Sequence, residues 1–197
     1  MKAILWSILK IACFLLIVPL LAAFVIAFQN RILSLPAHQS ACLLWGAGVY
    51  VAANLFIYDF KKAHDLGKNL VEKMTAFFKP AAYVVPAYAL VAILIYVVAV
   101  ALGRGSAIQP YFLFVLGFAF TMHLVLTAHE IYGSDNSFFK SEYLIIFPAV
   151  FMASLIIMSL LLAMLLREYS FVGFFKSLAS HAAHFYQSFY RFLFVDS

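Results

Sequence analysis

Charge is what this chain has least of. Only 11% of its 197 residues are Asp, Glu, Lys or Arg, against about 25% in an ordinary soluble domain. With 66% of the residues hydrophobic, so short a chain cannot bury its apolar surface in a water-facing fold. Cysteine is also scarce. Cys13 and Cys42 lie in the first two apolar runs, at different depths if those runs pair antiparallel. A disulfide needs Cα atoms within about 7 Å, so both are read as small buried residues. There is no glycine-rich phosphate loop, dinucleotide fingerprint, nucleophile–base arrangement, internal repeat or low-complexity linker. The nearest approach to a catalytic motif, His129-Glu130-Ile131-Tyr132-Gly133, begins like a zinc-protease helix. It places glycine where the second histidine is needed to bring two imidazoles to one metal. These absences argue against an enzyme and call for no cofactor.

The formal net charge is +5. The positive residues sit at the ends of apolar runs and in one loop, which is a pattern of membrane topology and anionic headgroups, not a nucleic-acid footprint.

What the chain has is long apolar runs. Five are long enough for spanning helices: Ile4–Phe28, Ala41–Tyr58, Ala81–Leu102, Tyr111–Glu130 and Tyr143–Leu166. The uncharged part of the first, Ile11–Phe28, exceeds the ~7–15-residue core of a signal peptide. It is read as an uncleaved span in which Lys10 snorkels and Pro19 kinks the helix. In the second, Gly48 and Ala52 form a small-xxx-small pair suited to close helix approach, and Asn54 needs a partner within the bundle.

Two further segments are amphipathic at helical spacing. Asp59–Lys79 sets Phe60, Ala63, Leu66 and Leu70 opposite Lys61, Lys62, Asp65, Lys68, Glu72 and Lys73. Ser170–Phe194 carries a polar stripe that includes Ser177, Ser180, His181, His184 and Gln187. Both are expected on the membrane surface, the second because Lys176 and Arg191 leave too short an uncharged stretch to cross. Lys61, Lys62, Lys68, Lys73 and Lys79 are expected at lipid headgroups. With the N-terminus inside, eight basic residues face the cytoplasm and five the other side. That balance suits a plasma or bacterial inner membrane. The expected fold is all-α: one polytopic membrane domain of about five spans plus two interfacial helices.

Function rests on the polar residues at membrane depth. His123, Thr127 and Glu130 fall at i, i+4 and i+7, on one helix face. Ionisable groups there turn toward protein or water. His123 is expected to point toward Asn54, Ser154 or trapped water. His181 and His184, with His38, are weaker metal-ligand candidates. The leading expectation is a non-enzymatic subunit or scaffold that meets the bilayer and a membrane-protein partner or its own copy. The alternative is a small transporter or proton-conducting component built on the His123 face. A scaffold needs His123 packed and hydrogen-bonded. Transport needs it beside a polar cavity.

Overall fold

The computed structural model describes residues 2–56, 60–74, 81–134 and 141–194. Lys79, expected at lipid headgroups, lies outside these residues. The described chain folds into α1 (Lys2–Leu33), α2 (Ala37–Phe56), α3 (Lys61–Met74), α4 (Ala81–Val84), α5 (Ala87–Ala101), α6 (Gly105–Ser134), α7 (Ser141–Leu165) and α8 (Phe171–Phe194). No strand occurs among the described residues. Among the described residues three helices are long and apolar enough to cross a membrane, over Ile8–Leu33, Ala107–Ile131 and Ile145–Leu165. The architecture is that of a helical membrane protein.

Five such helices were expected, and the second and third runs account for the difference. The 20-residue α2 carries His38, Gln39, Ser40 and Asn54, which dilute its apolar character. The third run is split. Pro86 has no N–H to continue a helix and pushes Val85 out of the helical region, so α4 stops at Val84 and α5 restarts at Ala87. The 15 residues of α5 rise about 22 Å at 1.5 Å each, less than a ~30 Å hydrocarbon layer.

The chain divides into two compact bodies, one formed by Met1–Ser34 with Ile131–Ser197 and the other by Leu35–Glu130. In the first, α1 packs along α8 and α7. The order of contacts makes α1 and α8 antiparallel. The Arg31 side chain lies against Gly173, Phe24 meets Phe174 edge-on at 6.0 Å, and Tyr186 Oη donates to the Leu16 carbonyl at 2.8 Å. Between α7 and α8, Tyr169 is buried and donates to Ser159 Oγ at 2.9 Å. Ser154 donates to the Val150 carbonyl of its own helix.

In the second body, α2 and α6 touch backbone to backbone. A Cβ at Gly46 would overlap the Phe114 carbonyl, and one at Gly117 would overlap the Leu43 carbonyl. The small-residue contact on α2 is therefore Gly46. The expected pair fails here, since Gly48 has nothing within 4 Å of its Cβ position. Below the crossing, the rings of Tyr50, Phe60 and Phe118 stand 5.3–5.5 Å apart on Met122 and Leu126.

Candidate functional site

The orientation of α3 makes the site. Two residues of its apolar stripe face outward, Leu66 at 61% and Leu70 at 53% exposed. His64, Gly67 and Val71 are buried instead, and Lys68 is half-buried. Spacings of three and four put these four residues on one helix face. Two contacts with α4 and α5 hold the helix this way round. Tyr88 Oη donates to the Ala63 carbonyl, and Lys68 Nζ donates to Tyr83 Oη at 3.2 Å while lying 4.3 Å above the Tyr83 ring.

Lys68 was expected among lipid headgroups. It turns inward and forms an ion pair with Glu130 of α6, with Glu72 at 3.9 Å on its own helix. The reason is electrostatic: a carboxylate half-shielded from water holds an ammonium better than solvent does. Burial works against the Lys68 charge, but the hydrogen bonds with Glu130 and Tyr83 outweigh it and hold the ammonium above its usual pKa. Lys61, Lys62 and Lys73 remain exposed.

One turn back, His64 is 6% exposed. Its Nε2 lies 3.4 Å from Thr127 Oγ1, and its Nδ1 3.9 Å from Asp65. Burial lowers its pKa, with Glu130 and Asp65 offsetting part of the effect. The His64 ring also stands 6.0 Å from that of His123, tilted by 37°. The face predicted on α6 is thus engaged along its length: Glu130 by Lys68, Thr127 by His64, and His123 by the second histidine.

His123 is 5% exposed. The backbone of Tyr83 and Val84 lies within hydrogen-bonding reach of its ring. Here the break at Pro86 matters, because a helix that stops leaves its last carbonyls without partners. The other nitrogen, Nε2, is buried with no partner among the described residues, as is Glu130 Oε2. Beside the His64–His123 pair is a cavity of about 10 Å³, lined also by Gly67, Lys68, Tyr88 and Met122. That is roughly the room one water needs. Outward from it, a cleft of about 470 Å³ opens among Lys61, His64, Asp65, Lys68, Glu72, His129 and Glu130. Toward the N-terminal end of α6, Leu113 and Leu116 are fully buried, and Phe112 stacks on Tyr96 at 4.2 Å.

The remaining expected polar residues lie elsewhere. Asn54 accepts a hydrogen bond from Tyr50 one turn before it, and Ser154 belongs to the other body. His181 Nδ1 donates to the Ser177 carbonyl at 2.7 Å. His184 and His38 are exposed. Among the described residues no three His, Cys, Asp or Glu side chains converge as metal ligands. The residues missed were His64, Tyr83 and Tyr88. The sequence signal for the first was Gly67, a small residue between His64 and Lys68 that allows close approach on their face.

No protein-family model, curated protein or solved structure matches this chain.

Proposed function

We propose that this protein is a proton-coupled membrane transport component whose buried His64–His123 pair takes up a proton from the cleft between α3 and α6. The observation that carries this is the buried pair itself: His123 stands beside a second buried histidine, its Nε2 has no partner among the described residues, and the small cavity it lines shares His64 and Lys68 with the polar cleft. A neutral imidazole with one nitrogen free of protein partners keeps a place for a proton at that atom. Asp65, Glu72 and Glu130 collect protons at the cleft mouth. His64, bonded to Thr127, passes one inward across a cavity sized for a single water. Lys68 balances Glu130 and keeps a second positive charge away from a protonated pair. The buried Leu113, Leu116 and Phe112 beyond the pair suit a one-sided binding site, so turnover needs a change of access. Chains of His and carboxylate groups carry protons in this way in transporters.

In this reading α2 and the α4–α5 segment also cross the membrane, giving at least five crossings. The N-terminus and α3 are cytoplasmic, and Lys61, Lys62 and Lys73 meet anionic headgroups. The exposed Leu66 and Leu70 enter the lipid interface, which suits an amphipathic helix lying along the membrane.

The test is proton entry into liposomes that hold the purified protein and an internal pH dye, under an imposed membrane potential. Slow, saturable entry is expected from the unaltered protein, and loss of it in His64→Gln and His123→Gln with insertion unchanged. Equal flux in all three would refute the proposal and return the protein to a scaffold role.

A further inference from the structure

The α8 helix presents a polar face that the site on α3 and α6 does not use. Phe174 and Leu178 are buried on its inner side. Val172, Phe175, Tyr186 and Tyr190 form an exposed apolar side. Ser180, His184, Gln187 and Ser188 form a third side, also exposed.

Its course relative to α1 fixes the depth of that polar side. From the Arg31–Gly173 contact to the Leu16–Tyr186 hydrogen bond, α1 rises about 22 Å at 1.5 Å per residue. Both contact points lie within Ile8–Leu33, the most hydropathic of the three spans. A helix that tracks a crossing helix over most of a ~30 Å layer crosses with it. Ser180 and His184 lie between the two contacts, at membrane depth, where hydrocarbon offers their polar groups no partner. The charges agree. In the charge count read from the sequence, a crossing α8 turns eight basic residues against five into nine against four.

We infer that α8 is a membrane-crossing helix whose Ser180–His184–Gln187–Ser188 face pairs with the same face of a second copy of this chain. The chemistry of the face selects this occupant. Ser, Gln and neutral His each carry both a donor and an acceptor. Two copies in one membrane are related by a two-fold axis along its normal, which sets each residue opposite its own counterpart. Only side chains of this kind are satisfied by such self-pairing, and no charge lies between Lys176 and Arg191 to oppose it. Polar contacts of this type join helices in lipid.

Single cysteines at Ser180, His184, Ser188 and Ala183 test this in the full chain in lipid vesicles, with Cys13 and Cys42 replaced by alanine. The first three should form disulfide dimers roughly tenfold or more faster than Ala183→Cys, because the paired face holds two thiols at high effective concentration. All should resist a water-soluble maleimide. Ready labelling at Ser180 and His184 would place α8 on the surface and overturn the inference. So would protection from label without cross-linking, or cross-linking equal to that of Ala183→Cys. Light scattering of the unaltered protein in nanodiscs gives an independent readout: a dimer is expected, and a monomer overturns the pairing.

Discussion

The helices α3 and α8 have the same kind of sequence pattern and pack in opposite senses. Each carries an apolar stripe and a polar stripe at helical spacing. In α8 an apolar edge goes in, burying Phe174 and Leu178 and leaving Ser180, His184 and Gln187 out. In α3 the edge bearing His64 and Lys68 goes in, and Leu66 and Leu70 stay out. What differs is the neighbour. The α8 helix lies on α1 through Phe24, which offers an aromatic edge and nothing for a charge. The α3 helix meets Glu130 and Tyr83, which can hold an ammonium. In lipid there is little hydrophobic drive to bring apolar faces together, so the polar partners decide which side turns inward.

The largest expected effect contrasts the two buried faces directly. Phe174 is fully buried, and its replacement by alanine should cost about 3–5 kcal/mol. Leu66→Ala on the exposed side of α3 should stay within about 0.5 kcal/mol. Thermal unfolding in a mild detergent measures both. Similar losses at the two positions would mean that the orientation of α3 is wrong.

A smaller effect is expected from the charge on α3. Lys68→Met strands the Glu130 carboxylate. Breaking a fully buried pair costs about 3–5 kcal/mol. Glu130 keeps 31% of its side chain exposed, so solvent screening reduces the loss to about 1–2 kcal/mol. Adding Glu130→Gln should restore part of it. Lys62→Met, on the exposed side, should change stability by no more than about 0.5 kcal/mol.

Much of the polar face was visible in the sequence, and its partners were not. The i, i+4, i+7 spacing of His123, Thr127 and Glu130 reflects helix geometry alone, and the structure engages all three. What meets them depends on how α3 docks, and the lysines of that segment carry the same pattern whether they face headgroups or a carboxylate. His64 was hidden for this reason. The split at Pro86 could be anticipated from the proline, but its consequence could not. Only the fold brings the backbone of Tyr83 and Val84 to His123. The Gly46–Gly117 crossing was likewise open to several registers, because α2 offers Gly46, Gly48, Ala52 and Ala53 on neighbouring faces.

The smallest stability effect concerns pH. Burial holds the folded-state pKa of His64 below its usual value, so the unfolded chain takes up the proton first as pH falls. Its contribution to stability is complete above the ordinary histidine pKa of about 6.5. It declines below that value and is gone once pH passes beneath the folded-state pKa. His64→Gln should flatten this acid limb of the stability profile. Chemical denaturation across the acid range reads the difference. An unaltered limb in His64→Gln would show that the imidazole is not held neutral by its surroundings.

The most direct test of the proton site is nuclear magnetic resonance of the histidine ring nitrogens in lipid bilayers, with pH varied across the acid range. His64 and His123 should titrate as a coupled pair, because two protonated rings 6.0 Å apart repel each other. His64→Gln should then change how the His123 ring nitrogens respond to pH. If His123 stays in one neutral tautomer throughout and does not respond to His64→Gln, the pair is structural packing and the proton-coupled account is contradicted.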